Sequence, residues 1–159
     1  MRHTLSVLVE NKAGVLAKIA GLFGRRAYNI ESLAVGTTER PDISRMTIVV
    51  DADEREIEQV MKQLHKVIEV LKISNITEEE YIERELVLIK VQVDAAKRSE
   101  VMQIVDVFRA RIVDISPNSL IIEATGEQKK LDAIQEALRT YGIKEIVRTG
   151  ELAMVRGLK

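Results

Sequence analysis

Apolar residues come in short bursts whose spacing changes along the chain. From Thr4 to Val9 the stretch "TLSVLV" is β-rich and mostly apolar, as in a strand with little exposed surface. From Val15 the period lengthens: Val15, Leu16, Ile19, Leu22 and Phe23 follow helical spacing, and Arg25 and Arg26 suit the negative end of the helix dipole. "IESLAVGTT" and "RMTIVV" then read as two strands joined across a polar turn containing Pro41 and Asp42. Ile57, Val60, Met61 and Leu64 stand at i, i+3, i+4 and i+7, one face of a second helix opened by the acidic "DADERE". "VIEVLKIS" closes the series as a strand.

The acidic segment "TEEEYIERE" interrupts the apolar pattern, and beyond it the order recurs. "LVLIKVQV" is a strand, Val101, Ile104, Val105 and Phe108 mark a helix, and "RIVDIS" and "SLIIEAT" flank a turn at Pro117 and Asn118. Leu131, Ile134 and Leu138 mark another helix, and "IKEIVRTGELA" reads as one final strand. Each half spells βαββαβ, an internal repeat of architecture more than of sequence. The predicted division is a first domain over residues 1–76, a linker over 77–83 and a second domain over 84–159.

In a βαββαβ unit both β-α-β connections are right-handed crossovers, which gives a four-stranded antiparallel sheet with two helices on one face. The expected fold class is therefore α+β, two tandem ferredoxin-like domains. A unit of this size with one open sheet face and two free edges is marginal alone, so pairing between copies is expected. The strand from Ile30 to Thr37, at the sheet border in this topology, is the expected contact edge of a homodimer.

Composition narrows the function. The chain has 159 residues, 46% of them hydrophobic, enough for buried cores. Lys and Arg number 24 against 25 Asp and Glu, a formal net charge of -1, so no global field draws in nucleic acid or anionic lipid. There is no cysteine, which excludes disulfides and thiolate chemistry. The start "MRHTLSVLVENK" meets charge too early for a secretory signal, and no apolar run approaches the roughly 20 residues of a membrane span. A cytoplasmic location is expected.

No catalytic constellation is visible. His3 and His65 lack metal-ligand spacing and read as surface or satisfied histidines. Asp51, Asp53 and Glu78 to Glu80 fall at a helix start and in the linker, where solvation and the helix dipole account for them. An RNA-binding sheet would display stacking aromatics, whereas this chain has two Phe and three Tyr, with both Phe on apolar helix faces.

The remaining chemistry is in "VENKAGVLAKIAGLFGRRAYNIES". A helix N-terminus offers free N–H groups and partial positive charge, a ready seat for a carboxylate. Gly14 stands there, and without a Cβ it lets a ligand approach the backbone. Asn11 is placed to cap the loop or touch the ligand, and Asn29, beyond the helix, carries the donor and acceptor to bridge an α-ammonium and an α-carboxylate. Spacing alone fits plain turn and N-cap roles for these residues somewhat better than a ligand site. At roughly 1.5 Å per residue the helix holds its ends about 15 to 20 Å apart, so one small molecule reaches both only if the Gly14 turn of one subunit faces Asn29 of its mate.

"LSVLVENKAGVLAKIAGLFGRRAYNIESLAVG", "DISRMTIVV" and "EQVMKQLHKVIEVLKIS", then "ERELVLIKV" and "TGELAMVRG", resemble the small, regulatory subunits of acetohydroxyacid synthase, also called acetolactate synthase. The "N-x-x-G-x-L" element by itself points only to an ACT domain, a widespread amino-acid sensor; "NIESL", "SRMTI" and "QLHK" at these separations point to the one family. The resemblance implies an N-terminal ACT domain, dimerisation through ACT sheets, and a separate catalytic subunit that is activated and made sensitive to feedback inhibition by valine, or by leucine or isoleucine. It implies a non-catalytic chain, with thiamine diphosphate, FAD and Mg²⁺ on the catalytic partner and no cofactor here. The effector positions it implies are Asn11, Gly14 and Asn29, the backbone at Ala13, Val15 and Leu16, and Ile30 as an apolar wall. A stand-alone ACT-type sensor acting on another protein is the alternative; an enzyme on this scaffold would need reactive residues that are not found.

Overall fold

The computed structural model describes residues 1–158. Strand β1 (Arg2–Glu10) lies inside the first sheet, flanked antiparallel by β3 (Ile43–Asp51) and β4 (Val70–Asn75), with β2 (Ile30–Thr37) outside β3. The strand order β2-β3-β1-β4 is the ferredoxin-like order expected from βαββαβ, and it puts β2 at an edge. Alternation sends Leu5, Val7 and Val9 of β1 and Met46, Ile48 and Val50 of β3 to the core, where they meet Val15, Ile19, Leu22 and Phe23 of α1 (Val15–Arg25) and Ile57, Val60 and Leu64 of α2 (Glu54–His65).

The same alternation carries His3 inward. It is 1% exposed, and neither ring nitrogen has a hydrogen-bond partner among the described residues. This corrects the expectation of a surface or satisfied histidine: His3 shares its parity along β1 with Leu5 and Val7, and that parity overrides its polarity. His65, at the end of α2, is exposed.

The second half repeats the plan. Strands β5 (Tyr81–Gln92), β6 (Arg111–Ser116), β7 (Ser119–Gly126) and β8 (Ile143–Arg148) stand in the order β6-β7-β5-β8, and a short β9 (Leu152–Val155) also pairs with β5. Helices α3 (Ala95–Val107) and α4 (Gln128–Leu138) bring Val101, Val105, Leu131, Ile134 and Leu138 onto Val87, Ile89, Val91, Leu120 and Ile122. The first helix of each half ends alike. Tyr28 N–H donates to Phe23 O and Ala27 N–H to Gly24 O, as Ala110 N–H does to Val105 O and Arg109 N–H to Asp106 O. In both, the turning residue is left-handed without being glycine: Ala27 at φ 56° and Arg109 at φ 55°.

The predicted final strand is broken. β8 stops at Arg148, Gly150 turns the chain at φ 84°, and β9 begins at Leu152, because glycine permits a backbone angle that ends a strand. The chain separates into two compact units, residues 1–82 together with the stretch from Glu151, and residues 83–150. The acidic stretch assigned to a linker already belongs to β5 from Tyr81 onward. Bonds within the first unit hold the late stretch: Glu151 N–H donates to Ser32 Oγ (2.7 Å), Arg2 Nη2 donates to Glu151 Oε1 (2.5 Å), and Arg156 N–H donates to Glu80 O (2.8 Å). Part of the helix-free sheet face, where Thr4, Thr47 and Val49 are buried, thus receives a segment of the same chain.

Candidate functional site

The corner from β1 into α1 is pinned by backbone bonds before any side chain acts. Asn11 N–H donates to Asp42 O (2.8 Å), Glu10 N–H to Glu69 O (2.8 Å) and Lys12 N–H to Glu10 O (3.0 Å). The Asn11 amide adds a bond from Nδ2 to Pro41 O at 3.0 Å, tying the corner to the β2–β3 turn. Asn11 is therefore an anchor of the loop, with its Oδ1 still available as an acceptor.

Gly14 is the N-cap of α1 at φ 86° and ψ -11°, and no side chain caps the helix. The first intrahelical bond is Lys18 N–H to Gly14 O at 3.0 Å, while Val15 N–H makes only a 3.4 Å bond to Lys12 O. The amides of Leu16 and Ala17 precede that first bond, and both residues are exposed, as are Ala13 and Gly14. A Cβ built on Gly14 meets nothing within 4 Å, so the glycine is required by its left-handed backbone, and the space in front of it is open. Val15 turns its side chain into the core and leaves only its backbone at the corner.

Nearby charges are already matched. Lys12 Nζ lies 2.9 Å from Glu10 Oε2, and Lys18 Nζ lies 2.5 Å from Glu69 Oε1. The bond from Lys18 holds the Glu69 carboxyl below its ordinary range. With both lysines paired, attraction for an anion at this corner comes from the helix N-terminus itself.

The starts of α2 and α3 differ. Asp53 closes α2 in a reciprocal capping box with Glu56, and the Asp94 carboxylate accepts from Lys97 N–H at 3.0 Å at the start of α3. The α3 corner repeats the backbone plan of the α1 corner, with Gln92 N–H donating to Gly142 O and Val93 N–H to Asn118 O. A polar cleft of about 510 Å³, lined by Gln92, Asp94, Lys97, Asn118 and Tyr141 among others, opens there. Its helix amides are met by Asp94, so the α3 start is closed by the chain's own carboxylate where the α1 start has no side-chain cap.

Asn29 and Ile30 stand past the other end of α1. Asn29 is exposed, and Ile30 is half-buried against the first core. The 11 residues of α1, at roughly 1.5 Å each, put about 16 Å between the Gly14 turn and this pair. Within one chain the structure therefore brings Asn11, Ala13, Gly14, Val15 and Leu16 together and leaves Asn29 and Ile30 apart from them.

Comparison with known proteins bears on both units. Residues 5–72 match the AHAS small subunit-like ACT domain, and residues 84–157 match the small subunit of acetolactate synthase. An Archaeoglobus fulgidus protein named "Probable acetolactate synthase small subunit" is 59% identical over 159 residues, 100% of this chain and 99% of the relative. The chain belongs to the acetolactate synthase small-subunit family. The small subunit of Mycobacterium bovis is 55% identical over 155 residues, covering 98% of this chain and 92% of its own. The crystal structure of the acetolactate synthase small subunit of Thermotoga maritima superposes with a TM-score of 0.91 at 42% identity, over 100% of this chain and 99% of that one. In acetolactate synthase small-subunit terms, every candidate effector position lies in the segment matched to the ACT domain.

Sequence reasoning missed one polar cluster in this small-subunit chain. Arg2 reaches both Glu31 (Nε to Oε2, 2.9 Å) and Glu151, and Glu151 is 2% exposed with Oε2 lacking a partner among the described residues. The one signal in the sequence was Gly150 ahead of an acidic residue, marking a turn where a single strand was expected.

Proposed function

We propose that this chain is a non-catalytic regulatory subunit that activates a separate acetolactate synthase catalytic subunit and confers feedback inhibition by valine. The observation that carries the effector assignment is the glycine-led N-terminus of α1, which has no side-chain cap, whereas α2 and α3 are closed by aspartate and the uncapped α4 starts at Glu127. In this reading the valine carboxylate rests on the amides following Gly14, its ammonium meets the side-chain amide of Asn29 from a second copy, and its isopropyl group packs on apolar residues such as Ile30. The second copy is needed because α1 holds the two ends apart, and the edge position of β2 offers the pairing strand. Thiamine diphosphate, FAD and Mg²⁺ act on the catalytic partner.

Feedback of this kind needs little energy: a coupling of about 1 to 3 kcal/mol shifts apparent affinity roughly 5- to 150-fold. The test is reconstitution. Synthase rate is measured with the catalytic subunit alone and with this chain added, each across a valine titration. A higher rate on addition, falling with valine only when the chain is present, supports the assignment; an unchanged rate and an unchanged valine response reject it.

A further inference from the structure

Strand β2 pairs with β3 in register from Ser32 to Thr37, but the register shifts between Ile30 and Ser32: Val50 faces Ile30 and Val49 faces Ser32. Glu31 is thus the extra residue of a β-bulge, a site where a strand bends and re-aims its side chains. On one side of the bulge stand Asn29 and Ile30. On the other is Ser32, whose Oγ accepts the Glu151 N–H at 2.7 Å. Arg2, on β1, spans the bulge and the late segment together, donating from Nε to Glu31 and from Nη2 to Glu151.

The Glu151 carboxylate is almost fully buried and only half satisfied, since Oε1 is held by Arg2 and Oε2 has no partner among the described residues. A buried carboxylate with a single cationic partner is stable only while that partner stays in place, because losing it leaves an uncompensated charge away from water. Any shift of the bulge that draws Glu31 and Arg2 away therefore favours release of Glu151, and release frees Ser32 in turn. Coupling between sites requires an element with two discrete arrangements, and the structure shows this segment in the docked one.

We propose that the Glu31 bulge and the Arg2–Glu151 pair form a latch, through which occupancy at Asn29 controls docking of the segment from Glu151 to Val155 on the helix-free face of the first sheet. This rests on the effector reading of Asn29 given above. The test combines calorimetric titration of the full chain with valine and amide hydrogen exchange on the same sample with and without saturating valine. Valine is expected to alter exchange across residues 151–155 by at least about fivefold. Glu151→Gln, which keeps the backbone donor to Ser32 but removes the charge, is expected still to bind valine, with its affinity shifted through the same coupling, while the reconstituted synthase needs at least about fivefold more valine for half-inhibition. Valine binding with unchanged exchange in this segment overturns the latch and leaves the effector site standing, as does Glu151→Gln with an unshifted inhibition curve. Absence of valine binding to the natural chain overturns both. Should Glu151→Gln fail to fold, the exchange experiment on the natural chain decides alone.

Discussion

Replacing Gly14 with aspartate puts a carboxylate where the proposed ligand carboxylate belongs, and the structure allows the effect to be sized. A Cβ at this position meets nothing within 4 Å, so the cost to folding is limited to holding a non-glycine residue at φ 86°, roughly 1 to 2 kcal/mol. Part of that is returned, because the new side chain can accept from the first-turn amides as Asp94 does at α3, a capping gain of a few tenths of a kcal/mol over glycine. Gly14→Asp should therefore fold, with a melting temperature lowered by only a few degrees. Binding suffers far more. Two carboxylates about 4 Å apart repel by about 4 kcal/mol at an effective dielectric constant near 20. Screening at this exposed corner reduces the penalty, and half of it, about 2 kcal/mol, still weakens valine roughly thirtyfold. Gly14→Ala is the control, carrying the backbone strain without the charge and leaving the amides unoccupied. Calorimetric titration with valine, alongside scanning calorimetry of each variant, makes the comparison. If Gly14→Asp bound valine with the affinity of the natural chain, the helix N-terminus would not be the carboxylate seat.

Ala27→Gly and Arg109→Gly each relieve a left-handed non-glycine residue and should stabilise by about 1 kcal/mol, raising the melting temperature by roughly 2 to 4 °C unless packing of the lost side chain outweighs the relief; scanning calorimetry reads both. Asp94→Ala removes the carboxylate that accepts from Lys97 N–H and should cost about 1 kcal/mol, while Glu127→Ala at the uncapped start of α4 should cost less, a difference that denaturant titration resolves. The Glu69 carboxyl is held below its ordinary range by Lys18, so its contribution to stability is complete above the pKa of the unfolded chain and fades as pH falls through the lower folded value. Melting curves of the natural chain and Glu69→Gln should accordingly differ at neutral pH and draw together as the solution is acidified below the ordinary carboxylate range, and a gap that did not narrow on acidification would refute the linkage.

The periodicities made most of the fold legible. Val15, Ile19, Leu22 and Phe23, and likewise Ile57, Val60 and Leu64, are buried where helical spacing put them, because packing of an amphipathic face and the sequence period agree. The border position of β2 follows from chain order and crossover handedness alone. Other features depend on tertiary partners and leave little local trace. Asn11 is a plausible cap by composition, yet its amide bonds a carbonyl 30 residues away in the chain. Glu151 reads as a surface acid until Arg2 and Ser32 are brought to it from the opposite end of the sequence. His3 gives no warning of its burial apart from its parity with Leu5, and strict alternation is hard to read in a strand whose two faces are both largely closed to solvent. Gly14 was legible as a glycine at a helix start, while the left-handed backbone that demands it was not.

The composition of the first unit from two distant parts of the chain bears on its birth at the ribosome. Its four-stranded sheet is available for pairing once residue 75 has emerged, but Arg2 and Ser32 then wait for Glu151 while the whole of residues 83–150 is synthesised. At about 5 to 20 residues per second that delay lasts several seconds, during which the nascent sheet presents its uncovered face and open β2 edge to solvent or to a second nascent copy.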